Sequence, residues 1–167
     1  SRFSEDTGRE VEEGLRLLVE QGAKGIIFDL RSNHGGLLTQ AVSVTDKFLD
    51  RGKLISYTQG RHPEDRSEYF ATEKPVIPRS IPVVVLVNGS TASASEIVSG
   101  ALQDDGRAVI LGELTYGKGL VQTLIPLEPD VSLKLTTAKW YTPSGRCIQK
   151  PFEDEAALYA FRLLERR

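Results

Sequence analysis

The stretch from Pro82 to Gln103, PVVVLVNGSTASASEIVSGALQ, decides how this chain folds. Its first six residues form an unbroken apolar run rich in valine, the pattern of a strand buried inside a sheet. Asn88 and Gly89 break that run. Helical spacing then brings Ala94, Ile97, Val98, Ala101 and Leu102 to one side. A buried strand that feeds a helix through a short serine-rich turn is a building unit of α/β folds.

The same alternation extends upstream. Val11, Leu15, Leu18 and Val19 recur at helical spacing, Thr7 and Glu10 have capping-box spacing, and Gly22 is placed to end the helix. GIIFDL (25–30) reads as a parallel strand covered on both faces. The loop RSNHGG (31–36) leads to a second amphipathic segment carrying Leu38, Ala41, Val42, Thr45, Phe48 and Leu49. KLISYT (53–58) reads as a strand. Residues 59–80 are polar, contain Pro63, Pro75 and Pro78, and read as a long functional or mobile connection. Downstream, AVIL (108–111) is a short strand. From Leu120 the pattern changes to period two through LVQTLIPL and VSLKLTTA, with Pro129-Asp130 between them, which predicts a β-hairpin. DEAALYAFRLLER (154–166) has the spacing of a terminal helix.

Composition narrows the function classes. The 167 residues fit one domain, and 40% hydrophobic with 26% charged residues is an ordinary globular balance. The net charge of −2 gives no overall attraction to nucleic acid or to an anionic membrane. The lone Cys147 cannot close an internal disulfide, and one cysteine with two histidines is too little for a closed structural zinc site. No apolar run reaches the ~20 residues of a membrane span.

Two motifs carry chemistry. GELTYGKG (112–119) approximates a phosphate-binding loop, but the segment after it alternates like a strand and contains Pro126, so the required helix is missing. Gly119 stands where Ser or Thr would hold magnesium. Lys118 then reads either as a surface lysine between two glycines in a turn or as a lysine delivered to a confined place, where desolvation would favour its neutral form and make it a candidate general base. The other motif is NGSTASASE (88–96). A serine at a strand-to-helix turn sits beside unpaired N–H groups that can stabilise an oxyanion. Ser90, Thr91, Ser93 and Ser95 are equally suited to helix capping. His62 reads as a solvated loop residue; His34, within the glycine loop, could approach an active site or equally be a turn residue. A Ser/Lys dyad, with lysine in place of histidine, gives Lys118 and one of the loop serines matching roles.

SASEIVSGALQDDGRAVILGELTYGKGLVQ (93–122), together with FDLRSNHGG (28–36) and LTTAKWYTPSGRCIQ (135–149), resembles the C-terminal processing (tail-specific) serine peptidases. The resemblance implies an α/β core of the crotonase/Clp-protease-like superhelical type, with parallel strands, covering helices and a C-terminal β-hairpin. It implies Ser93 as nucleophile, Lys118 as general base and Gln122 as the residue that positions the lysine. It assigns the oxyanion hole to the N–H of Ala94 and to a glycine of the upstream loop, Gly35 with Gly36 close behind. Asp104 matches an acidic position of the family pattern, though it could equally pair with Arg107 at the helix end. Asp29 and Arg31 are expected to brace the glycine loop. The implied substrate is a protein or peptide cut near its C-terminal end, with no metal or organic cofactor and no nucleic-acid partner. The resemblance further implies a periplasmic or cell-envelope location and is compatible with a homo-oligomer.

That family usually carries a PDZ domain ahead of the core. The expectation is therefore one peptidase core domain over 1–167, without PDZ and targeting segments. The tail PFEDEAALYAFRLLERR departs from the glycine-containing ending of the family. Two other functions stay open at this point: a non-catalytic interaction domain of the same fold, and a crotonase-like acyl-CoA enzyme, which also uses a backbone oxyanion hole.

Overall fold

A computed structural model describes residues 2–151, so the terminal helix expected over 154–166 lies outside the described residues. The first helix, α1 (Thr7–Glu20), ends as the sequence predicts. Gly22 takes φ +78°, its N–H reaches Val19 O, and the N–H of Ala23 returns to Leu18 O. This pair of bonds satisfies two helix-end carbonyls, and the left-handed conformation favours glycine. The start differs. Asp6 is the N-cap, Thr7 is already helical, and its hydroxyl accepts from the Ser4 N–H at 2.9 Å, so no capping box forms between Thr7 and Glu10.

Strands β1 (Ile26–Asp29), β4 (Val83–Val87) and β5 (Val109–Gly112) form a parallel sheet in the order β1-β4-β5. Val83, Val85 and Val87 turn one face of β4 into the core. The expectation that β1 is covered on both faces fails. Ile27, Val84 and Val109 lie in one register row and Asp29, Leu86 and Leu111 in the next. Ile27, Val109 and Leu111 are 72%, 66% and 60% exposed, which leaves this side of the sheet open. A continuous apolar run signals a strand but does not say how many faces are covered.

Helices α2 (Leu38–Asp46) and α3 (Ala94–Asp104) pack against each other, and the core joins them to α1, β1, β2 and β4. Phe48 and Leu49, read as part of the second amphipathic segment, are buried just beyond the end of α2. Every residue of α3 from Ala94 to Leu102 is buried, so α3 is surrounded rather than laid on a surface. Burying each Val, Leu or Ile side chain stabilises the fold by about 1.5–3 kcal/mol relative to exposure. Val98 and Leu102, both fully buried, are therefore among the residues that fix where α3 begins.

The second sheet is antiparallel, in the order β3-β2-β7-β6, from β2 (Leu54–Gln59), β3 (Arg66–Phe70), β6 (Leu120–Glu128) and β7 (Val131–Tyr141). The hairpin around Pro129-Asp130 is β6–β7, with Glu128 opposite Val131. The polar stretch read as a long connection is in part a strand. His62–Asp65 form a tight turn, and β3 then pairs back along β2 from Gln59↔Arg66 to Leu54↔Phe70. Four of the five residues of β3 are exposed, so no apolar alternation marks it in the sequence. Beyond β3, buried Asp46 accepts from the Thr72 N–H (2.9 Å), the Thr72 hydroxyl (3.0 Å) and the Glu73 N–H (3.2 Å). Lys47 pairs with Glu12 at 2.8 Å and Glu73 at 3.1 Å, which ties this segment to α1 and α2.

Candidate active site

The carboxyl end of β4 opens into the turn Asn88–Ser93, and Ser93 is the residue from which α3 starts. Ser93 has φ +58° and ψ −118°, a conformation that L residues rarely adopt. Such strain costs on the order of 1–3 kcal/mol and persists only where surrounding structure enforces it, commonly at functional turns. The enforcement here is visible. Thr91 Oγ1 donates to Leu30 O at 2.8 Å, Ala92 N–H to Asn33 O at 3.0 Å, and Ser95 Oγ to Asn33 O at 3.1 Å. The turn is thereby stitched to the glycine loop that follows β1.

Gly35 is where that loop comes closest. It has φ +85°, and a Cβ added to it would stand 2.6 Å from Ala92 O, 2.8 Å from Ala94 N and 2.9 Å from Ser93 Cβ. Only a residue without a side chain fits this approach. The Gly35 N–H is already given to Asn33 Oδ1 at 3.0 Å. Gly36 forms a bridge with Phe3 that uses the Gly35 carbonyl and the Leu37 N–H and leaves the Gly36 N–H out of the pairing. Ala94 is the first residue of α3, where the helix offers its N–H no acceptor. Phe3, 2% exposed, was unremarkable in a polar N-terminal stretch, yet it supports the back of this loop.

The Lys118 turn lies against the same Ser93 turn. Tyr116 N–H donates to Thr91 O at 2.9 Å, and Gly117 N–H and Lys118 N–H both donate to the carboxylate of Glu96, at 2.6 and 2.9 Å. Glu96 also accepts from Ser93 N–H at 2.7 Å, the reciprocal half of a capping box. Glu96 is only 4% exposed and joins both turns, yet the sequence reading passed over it. Its signal was the Ser-x-x-Glu spacing of Ser93 and Glu96.

Three expectations need correction or refinement. The Lys118 side chain is exposed, not confined, and Gly117 and Gly119 are the buried members of its turn. Their closeness serves the chain's own later segment: Lys150 N–H donates to Gly117 O at 3.1 Å, and Gly119 N–H to Gln149 Oε1 at 3.0 Å. Gln122 is exposed on β6, and its amide donates to Thr136 Oγ1 at 3.4 Å. Asp104 stands at the opposite end of α3 from Ser93. It does not pair with Arg107; it accepts from Ser144 N–H at 2.9 Å and pairs with Arg146 at 3.3 Å. Burial pushes its carboxyl up, but hydrogen bonds from Thr142 and Ser144 with the Arg146 charge outweigh that and hold it below the ordinary value. Arg107, itself buried, donates instead to the carbonyls of Phe48 and Pro78.

Asp29 and Arg31 form an exposed pair at 2.7 Å at the mouth of the glycine loop, and the Arg31 side chain and N–H hold the Asp29 carboxyl down at about 2. His34 is exposed in the same loop. Among the described residues no group of His, Cys, Asp and Glu is arranged to hold a metal ion.

A strained serine at the carboxyl end of a parallel sheet, backed by a glycine loop and faced by a lysine turn, defines a serine-hydrolase type of core. The comparisons with known proteins narrow this class. The chain belongs to Peptidase family S41, whose sequence pattern matches residues 1–155. It is 53% identical over 152 residues to a carboxy-terminal-processing protease of Bartonella bacilliformis, covering 89% of this chain and 35% of that protein. It is 40% identical to the carboxy-terminal processing protease CtpA of Bacillus subtilis, covering 89% and 31%. Among solved structures, a photosystem II D1 C-terminal processing protease superposes with a TM-score of 0.82 at 36% identity, covering 89% of this chain and 38% of that one. The chain thus spans about a third of the length of these relatives.

Proposed function

We propose that this chain is the catalytic core of a serine peptidase that cuts proteins near their C-terminal ends, with Ser93 as nucleophile and Lys118 as general base. The observation that carries the reading is the Ser93 turn itself, a strained serine whose N–H shares one Glu96 oxygen with the N–H of Lys118. The names of the relatives, carboxy-terminal-processing proteases, support the substrate class. The finer description of the core as crotonase/Clp-protease-like and superhelical, and a location in the cell envelope, belong to the same proposal.

In this reading the neutral Lys118 amine takes the Ser93 proton as Oγ attacks a peptide carbonyl, and the Ala94 N–H with a glycine N–H of the 31–36 loop receives the oxyanion. The Gly35 N–H is held by Asn33, whereas the Gly36 N–H is left out of the bridge to Phe3 and is the more available donor of the two. Collapse of the tetrahedral species breaks the C–N bond as the Lys118 ammonium protonates the leaving amine. A water that gives its proton to the same lysine then frees the acid product and regenerates the Ser93 hydroxyl. Since the Lys118 side chain is exposed, its desolvation arrives with the bound polypeptide. Gln122, on β6 just beyond the turn, is assigned to hold the amine when the polypeptide is bound. Asp104 is assigned to the support of the Thr142–Arg146 turn.

The test is reaction of Ser93 with a fluorophosphonate probe, read by peptide mass, alongside cleavage of an unfolded polypeptide. Ser93→Ala and Lys118→Ala should each abolish cleavage while the chain stays folded; turnover retained in either overturns the dyad. The exposure of Lys118 favours a second reading, a non-catalytic interaction domain of the same fold. A chain whose Ser93 stays unlabelled supports that reading. Membership of a peptidase family speaks against the acyl-CoA alternative.

A further inference from the structure

We propose that Glu96 is a positioning residue that locks the Lys118 turn onto the Ser93 turn and so sets the geometry between nucleophile and base. This inference rests on the peptidase reading. It begins from an excess of bonds. A carboxylate at the third position of α3 needs only the Ser93 N–H to complete a helix cap, and it is already favoured there by the helix dipole. Glu96 takes two more N–H groups, from Gly117 and Lys118, which lie 21 and 22 residues away. Helix capping does not require them.

The division of those bonds between the two oxygens matters. Oε1 accepts from Gly117, whereas Oε2 accepts from both Ser93 and Lys118. The main chain of the nucleophile and that of the base are therefore joined through one atom. All three bonds are charge-assisted, and Glu96 as a residue is 4% exposed, so the attachment is largely sheltered from water. The Lys118 side chain, by contrast, is exposed. The point and direction from which its side chain leaves the backbone are thus set by the turn, which Glu96 holds together with the Tyr116–Thr91 and Lys150–Gly117 bonds. Gly117, at φ +86°, supplies the tight bend that aims two successive N–H groups at one carboxylate.

Glu96→Gln is nearly isosteric but has one acceptor oxygen, so its amide NH2 must face either Gly117 or the shared Ser93–Lys118 position. The experiment measures the rate of Ser93 labelling by the fluorophosphonate in the whole chain and in Glu96→Gln, Lys118→Ala and the double variant. Circular dichroism and cooperative melting report the fold. The expected result is labelling at least about tenfold slower in Glu96→Gln with the fold retained, and less than about twofold further slowing on the Lys118→Ala background. Two outcomes overturn the proposal: unchanged labelling in Glu96→Gln, or the same tenfold loss with and without Lys118, which would make Glu96 a helix cap alone. If Glu96→Gln fails to fold, Glu96→Asp is read by the same criteria. Absence of Ser93 labelling in the unaltered chain would instead sink the peptidase reading and this inference with it.

Discussion

Ser93 and Gln122 are assigned to one reaction, yet they stand on ground of opposite construction. Ser93 opens a helix whose first nine residues are all buried, and its turn is bonded to the glycine loop, to the Lys118 turn and to Glu96. Gln122 sits on a hairpin whose strand β6 is exposed from Gln122 to its tip, with Leu124 and Leu127 65% and 61% exposed. Lys118 lies between the two, with its backbone held on the Ser93 side and its amine in solvent. The difference separates the braced turn of the proposed nucleophile, at the start of a buried helix, from what is presented at the surface, the proposed proton acceptor and its helper. On this view substrate binding completes the second half.

That comparison predicts where substitution should hurt most. Leu102 is fully buried on α3, on the helix that starts at Ser93. Leu102→Ala removes core contacts and leaves a cavity, with an expected loss of about 2–5 kcal/mol in denaturant unfolding. A loss below about 1 kcal/mol would mean that α3 is not the rigid support described here.

Gly35→Ala comes next. The new methyl would meet Ala92 O and Ala94 N while the residue keeps φ +85°. The expected cost is about 1–3 kcal/mol, because the clash is with backbone and is relieved only by displacing a loop that its bonds to Phe3 and Ala92 hold in place. Ser93 labelling should nevertheless fall more than it does in Leu102→Ala, since that shift moves the loop away from the oxyanion position. Equal losses of labelling in the two variants would erase the distinction between support and site.

Much of this division is legible in the residues. The apolar run of β4, the helical spacing of α3 and the two glycine-flanked motifs place Ser93, Gly35 and Lys118 in the correct elements. What the sequence hides are quantities that depend on partners from elsewhere in the chain. β3 has no alternation because it is solvated on both faces, and the open face of the parallel sheet reads like a covered one because Ile27, Val109 and Leu111 on it are as apolar as the residues of the buried face. Glu96 looks like an ordinary cap until the Lys118 turn is folded against it. Asp104 and Arg107 are near neighbours along the chain, yet their partners come from the 142–146 turn and from the carbonyls of Phe48 and Pro78.

Asp104 offers a test at the join between the two regions, because it anchors the Thr142–Arg146 turn that follows β7. Its folded carboxyl titrates below the ordinary value, so the unfolded chain binds more protons in the interval between the two values. The stability Asp104 contributes is therefore complete above the ordinary aspartate value of about 3.9 and is lost as pH falls through its lower folded value. Asp104→Asn should lower the unfolding midpoint at neutral pH and flatten its acid limb. Equal midpoints for the two proteins at pH 7 would remove Asp104 as an anchor.

The smallest effect belongs to the hairpin. Leu124 faces solvent on β6 opposite Lys134, so Leu124→Thr exchanges one strand-compatible side chain for another without uncovering a core. The expected change in unfolding free energy is within about 0.5 kcal/mol, and Ser93 labelling by a small probe should not move. Cleavage of a long unfolded polypeptide is the sensitive readout, since only an extended substrate reaches from Ser93 along β6. A fall in polypeptide cleavage at constant probe labelling would place substrate on the hairpin. A loss of more than about 1 kcal/mol would show the reverse, that Leu124 is buried in the folded protein and the hairpin belongs with the core.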